Sequence, residues 1–224
     1  MTNLLNQTVY FSLFVQIITG ILDAFALQLK VPEQITVLRQ ALILELIVQI
    51  IEGTFYIWLV FAIHRATLNV TPHRYYDWFL TTPTMLFTLM IYLDYLKHPN
   101  KKQTVMQFTK ANKQVIGQVV VLNALMLMFG YLGEKKILRT QTSVVLGFIP
   151  FVLYYSLIYQ TFVKDNPDGE NFFWYFVIVW AIYGLVALLP YQPKNIGYNI
   201  LDLFAKNFFG LYLSYKLFIN RLPS

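Results

Sequence analysis

The stretch Asn199-Ile-Leu-Asp-Leu-Phe-Ala-Lys-Asn-Phe-Phe-Gly-Leu-Tyr-Leu213 decides the fold. It sets one lysine, Lys206, among mostly apolar residues. At the centre of a membrane-spanning helix a lysine costs about 2.5–3.5 kcal/mol on insertion scales. Lys206 should therefore face a protein interior and have a partner. Asp202 lies four residues earlier, one turn away on the same helix face. One reading is a structural Lys–Asp pair that ties helices together. The other is a reactive amine. Burial disfavours the charged form of a lysine, and a neutral amine condenses with a carbonyl to form a Schiff base. Once protonated, that imine needs carboxylates nearby.

Composition places the whole chain in a bilayer. Its 224 residues are 57% hydrophobic and only 12% charged, and mean hydropathy is +0.53. Soluble domains carry about 25% charged residues. Aromatics reach 17%, as interfacial belts and ligand pockets require. There is no cysteine, which excludes a disulfide framework, a thiol metal site and a thiol nucleophile. The net charge of +6 reads as loop charge that sets topology, not as a nucleic-acid surface. The first residues, Met1 to Gln7, lack the basic region of a cleavable signal peptide.

A bilayer-spanning helix needs about 20 predominantly apolar residues. Seven segments qualify, roughly 8–29, 36–62, 74–97, 114–133, 140–163, 171–190 and 197–219. Turn-forming or charged breaks separate them, among them Asn69-Val-Thr-Pro72, Lys97-His-Pro-Asn-Lys-Lys102 and Tyr191-Gln-Pro-Lys194. The expectation is an all-α, seven-transmembrane-helix bundle, with residues 1–224 forming a single domain. The loop after the third segment is the most basic, with Lys97, Lys101, Lys102, Lys110 and Lys113, and the C-terminus adds Lys216 and Arg221. That side should be cytoplasmic and the N-terminus extracellular; Lys135, Lys136 and Arg139 are the counter-signal. Asn6-Gln7-Thr8 and Asn69-Val70-Thr71 fit the N-glycosylation pattern, and both would then be external.

Polar residues within the spans fall on single faces. Helix one carries Ser12, Gln16, Thr19 and Asp23, and helix two Glu45, Gln49, Glu52 and Tyr56, both spaced four, three and four. Such seams can simply glue helices together. Carboxylates deep in an apolar segment more often mark ion or proton paths. Helix three opens with His73-Arg-Tyr-Tyr-Asp-Trp-Phe-Leu-Thr-Thr-Pro-Thr-Met85. Arg74 and Asp77 are three apart and can pair. Pro83 should weaken the helix locally and leave a carbonyl in need of another partner. Asn123 lies in helix four. Gly147, Pro150 and three tyrosines lie in helix five, and Trp180 and Tyr183 share a face of helix six.

Arg74-Tyr-Tyr-Asp-Trp-Phe-Leu-Thr-Thr-Pro83 and Leu201-Asp-Leu-Phe-Ala-Lys206 together resemble the third- and seventh-helix signatures of microbial (type I) rhodopsins. Trp180 and Tyr183 match the sixth-helix pocket residues of that family. The resemblance implies all-trans retinal bound covalently to Lys206 as a protonated Schiff base. It implies Asp77 as proton acceptor and principal counterion, Asp202 as second counterion, and Arg74 on the external side of the cluster. Trp78, Thr82, Met85, Met126, Gly130, Trp180 and Tyr183 would line the chromophore. Asn123 falls where relatives often carry an acid opposite the third-helix threonine, here Thr82. Met85, apolar beside the polyene, implies green rather than blue absorption.

The departures bear on function. Outward proton pumps of the family usually carry an Asp or Glu at the internal donor position, which is Thr88 here. Asp94 lies too near the cytoplasmic end to replace it. Gly184 replaces the usual proline, and Ala187 stands where a pocket tryptophan often lies. Light-gated channels of the family carry a row of glutamates in helix two, comparable to Glu45 and Glu52. The pattern also resembles the small rhodopsins of giant algal viruses. The implied function is a light-gated cation channel, with an ion path along Ser12, Glu45, Gln49, Glu52 and Asn199. The alternatives are a light-driven outward proton pump and, ranked last, a photosensor. No hydrolytic triad or metal cluster is visible, so an enzyme is not expected. The expected partners are the lipid bilayer and transported cations or protons, with no nucleic acid. The expected location is an integral, multi-pass one, in a host cell membrane if the source is viral. Relatives assemble as dimers, trimers or pentamers, and nothing in the sequence chooses a homo-oligomer among them.

Overall fold

The structure, a computed structural model, describes residues 2–64 and 69–222; Met1, residues 65–68, Pro223 and Ser224 lie outside it. Among the described residues every regular element is helical, and seven helical spans follow one another. They are α1 (Thr2–Ala26), α2 (Thr36–Ala62, after a short 3-10 turn), α3 (Thr71–Lys97), α4 (Val105–Glu134), α5 (Thr140–Ile158, extended by a π-helical stretch to Val163), α6 (Pro167–Val186), and a divided seventh span. The last comprises α7 (Tyr191–Asp202), a π turn at Leu203–Asn207, and α8 (Phe208–Ile219). The first six are long and apolar enough to cross a membrane. The seventh completes the bundle, although the π turn leaves neither of its α-helical parts that long. Large apolar side chains such as Phe14, Phe61, Phe79 and Val121 point outward, as a lipid-facing surface requires.

Capping chemistry moves several boundaries. α4 begins nine residues before its expected start because Thr104 and Gln107 form a reciprocal capping box. Lys110 and Lys113 therefore sit on a helix, not in the loop assigned to them. Pro167 starts α6 early, since proline in the first turn gives up only an N–H that lacks a partner anyway. Tyr191–Lys194, expected as a break, is the first turn of α7 behind Pro190. α3 runs unbroken through Pro83. Neighbouring hydroxyls supply extra donors there: Thr81, Thr82 and Thr84 donate to the carbonyls of Asp77, Trp78 and Leu80.

Candidate functional site

Lys206 sits in the π turn, only 2% exposed, and three carboxylates from three different spans converge on it. Its Nζ donates to Asp77 Oδ2 of α3 at 2.6 Å. It lies 3.2 Å from Glu52 Oε1 of α2 and 3.7 Å from Asp202 Oδ1 of α7. The structural Lys206–Asp202 pair is thus the longest of the three contacts. Sequence spacing placed Glu52 on a polar seam but not in this cluster. A helix partner four residues away is visible in sequence; a partner from another helix is not.

Arg74 does not pair with Asp77, as the three-residue spacing allowed. Its guanidinium reaches across to the seventh span. Nε donates to Asn195 Oδ1 at 3.1 Å, Nη2 to Asn199 Oδ1, and Nη1 lies 3.4 Å from Asp202 Oδ2. The physical reason is competition. Lys206 already occupies Asp77, and α7 offers three acceptors on one face. Tyr56 and Tyr183 also donate to Asp202, at 2.7 and 2.8 Å. Asn195 in turn donates to Thr71 Oγ1 at 3.0 Å, and Asn199 to Thr8 Oγ1 at 2.9 Å. Ser12 donates to the Asn199 carbonyl at 3.0 Å. Asn195 was missed in the sequence. Its signal was there: Asn195, Asn199, Asp202 and Lys206 repeat the four, three, four spacing of the other seams.

On the other side of Lys206 the polar contacts thin out. Asn207 donates to Gln49 Oε1 at 3.2 Å. The Thr88 hydroxyl donates to Glu45 Oε1, and Ser214 to Asp23 Oδ1 at 2.6 Å. Several buried atoms here have no protein partner: both polar atoms of the Gln16 amide, Gln49 Nε2, Glu45 Oε2, Asp23 Oδ2 and Asn207 Oδ1. Asp94 stays apart at the end of α3, where it accepts from Gln103 at 2.8 Å.

An apolar cavity opens beside Lys206, with about 790 Å³ of space not filled by atoms, including its mouth. Trp78, Thr82, Met85, Met126, Gly130, Trp180 and Tyr183 all line it. So do Gly147, Phe151, Gly184 and Ala187. Asn123 Nδ2 donates to Thr82 Oγ1 at 2.8 Å, and that hydroxyl donates to the Trp78 carbonyl at 2.7 Å. This fixes one wall through α4. The model of bacteriorhodopsin-like proteins matches residues 4–220.

The chain belongs to the bacteriorhodopsin-like family. Rhodopsins of this kind bind retinal covalently through a lysine. Among curated proteins it is similar to the green-light absorbing proteorhodopsin of Gamma-proteobacterium EBAC31A08, 26% identical over 161 residues, or 63% of this chain. The match spans only 59% of that relative's length. Among solved structures it resembles viral rhodopsin OLPVRII, with a TM-score of 0.84 and 26% identity over 96% of this chain and 99% of that one. The proton pumping rhodopsin AR2 from the marine alga Acetabularia acetabulum shares the fold, with a TM-score of 0.73 and 19% identity over 99% and 98% of the two chains. This is a multi-pass membrane protein of the microbial rhodopsin type, and among these structures it resembles a viral one.

The residues present fit a retinal. A single buried amine abuts a largely apolar cavity, and carboxylates stand on the side of the amine that a cation needs. Gly184, in the cavity wall, lets the Phe148 ring pack closely, since a Cβ there would lie 2.7 Å from it. The buried Trp180 Nε1, in the cavity wall, has no hydrogen-bond partner among the described residues.

Proposed function

We propose that the protein is a light-gated cation channel whose retinal is attached at Lys206. When bound, retinal supplies light absorption and a change of shape, and it is joined to the Lys206 nitrogen through a protonated imine. Asp77, nearest that nitrogen at 2.6 Å, is the proton acceptor and principal counterion. Asp202 is the second counterion, held by Arg74, Tyr56 and Tyr183. Glu52 adds a third carboxylate from α2 and so couples the charge at Lys206 to the helix-two seam. Trp78, Thr82, Met85, Met126, Gly130, Trp180 and Tyr183 hold the chromophore, and apolar Met85 favours green absorption.

The observation that carries the channel reading is the row of buried, unpartnered polar atoms on α1, α2 and the seventh span. A buried polar group without a partner costs about 1–3 kcal/mol. Groups of this kind, one after another along three facing helices, suit a path that water and cations enter. Ser12, Asn199 and Glu52 line the side nearer Arg74, and Gln49 and Glu45 the other. With the N-terminus extracellular, Arg74 faces outward and Glu45 inward. The host cell membrane is the setting if the source is viral, and a homo-oligomer is compatible with the apolar outer faces.

An outward proton pump is the second reading, favoured by one contact. Thr88 lacks the donor carboxyl, but the Glu45 carboxyl from α2 meets its hydroxyl. Photocurrent against voltage, with retinal supplied and the cation gradient set, separates the two. A current that reverses near the cation equilibrium potential supports the channel. A current that stays outward at every voltage refutes it and supports the pump. A retinal absorption band without any current refutes both and supports a photosensor.

A further inference from the structure

Where the seventh span changes step, its backbone loses a donor. The Phe208 N–H donates to the Leu203 carbonyl. An α-helical step would have paired Phe208 with Phe204, four residues back. The Phe204 carbonyl is thereby deprived of its ordinary partner. The Phe204 side chain is 53% exposed on the outer face of the bundle, where hydrocarbon offers no water to take the donor's place. The Tyr175 hydroxyl of α6 fills the vacancy and donates to this carbonyl at 2.8 Å. Its ring is held in turn by Phe208, with ring centroids 4.8 Å apart. Lys206 lies two residues beyond Phe204, in the same turn.

We propose that Tyr175 is a positioning residue whose hydroxyl pins the π turn that carries Lys206 and couples that turn to α6. The tether sets the direction of the lysine stem, while its ring packing is incidental. The consequence for light responses rests on Lys206 as the retinal attachment point; the tether itself does not.

Tyr175→Phe keeps the ring and removes only the O–H. In retinal-free protein, amide hydrogen exchange in the peptide covering residues 203–213 should quicken about three- to tenfold, the range that loss of one hydrogen bond gives. In the retinal-loaded protein, recovery of the dark absorption after a flash should change by a similar factor. Unchanged exchange and recovery would overturn the proposal. Faster exchange with unaltered recovery would overturn the positioning role and leave a backbone contact only. Absence of a retinal band in the wild type would instead sink the reading of Lys206, and the exchange data would still decide the tether. If Tyr175→Phe does not fold, light-minus-dark infrared spectra of the wild-type chain decide. With carbonyl-13C phenylalanine and ring-deuterated tyrosine, a phenylalanine carbonyl band and a tyrosine band should rise together. Lack of the carbonyl band refutes the coupling.

Discussion

The two halves of the polar line through the bundle are built differently. On the Arg74 side, one guanidinium, two asparagines, two tyrosines and Asp202 hydrogen-bond one another closely, and the unpartnered carboxylate oxygens, both of Glu52 and Asp77 Oδ1, belong to the groups gathered around Lys206. On the Glu45 side, contacts come in isolated pairs, Glu45 with Thr88, Gln49 with Asn207, Asp23 with Ser214, and each pair leaves polar atoms unsatisfied. A fully satisfied buried network is rigid; a partly satisfied one invites water. The first half therefore holds charge in place beside Lys206. On the proposed channel reading, the second is the half that light would rearrange at low cost.

This contrast is broken most forcefully at Arg74. Arg74→Gln removes the cation that faces Asp202 in a site where both side chains are 1% exposed. Removing one partner of a buried pair costs about 3–5 kcal/mol. Thermal unfolding followed by loss of the retinal band should show a large drop. A variant as stable as wild type would mean that this half is not pre-organised by Arg74.

A smaller effect is expected at Tyr56. Tyr56→Phe leaves the ring in its buried place and removes the O–H that donates to Asp202 Oδ2 at 2.7 Å. A hydrogen bond to a charged group contributes about 1.5–3 kcal/mol. The same unfolding assay should register a loss within that range, together with a shift of the absorption band, because Asp202 faces Lys206. A stability change without any spectral shift would separate Asp202 from the chromophore.

Across Lys206, Glu45→Gln should act on current rather than on stability. Glutamine keeps an acceptor for Thr88 and the volume of the side chain, so unfolding should move by less than about 1 kcal/mol, as for a volume-conserving change that keeps its hydrogen bond. Conductance or ion selectivity should change clearly at equal expression. Unaltered currents would remove Glu45 from the path and undo the assignment of the loose half to conduction.

The sequence made the fold and much of the site visible, and the reason is chemical. Seven apolar segments, Lys206 and its i−4 partner Asp202, and the Asp77 to Pro83 run are local patterns. What it hid depends on distance across the bundle. Glu52 was read as a seam residue, yet it lies 3.2 Å from Lys206 because α2 leans that seam against the π turn. Arg74 was offered Asp77 by spacing and took Asn195, Asn199 and Asp202 instead. The π turn had no sequence signal, so neither the freed Phe204 carbonyl nor Tyr175 could be found before the structure. Asn195 could have been found, since it continues the spacing of the seventh span.

The smallest expected effect sharpens the comparison most, because it repeats the Tyr56 experiment on the other half. Ser214→Ala removes one hydroxyl donated to a buried carboxylate, Asp23 Oδ1, at 2.6 Å. Asp23 is as buried as Asp202, so burial alone predicts a similar loss from the two variants. The halves differ in what can take over. Around Asp202 both oxygens are already engaged, by Arg74 and Tyr183, in a closely bonded network, so the lost donor is not readily replaced. Asp23 already has an unpartnered oxygen, Oδ2, and its neighbours are loosely paired, so water can replace the serine. Ser214→Ala should therefore cost less than about 1 kcal/mol, at the low end for a single hydrogen bond. It should still alter the opening or closing rate of the photocurrent. Equal losses from Tyr56→Phe and Ser214→Ala would show that the Glu45 half is as rigid as its counterpart, and the gate would have to be sought elsewhere.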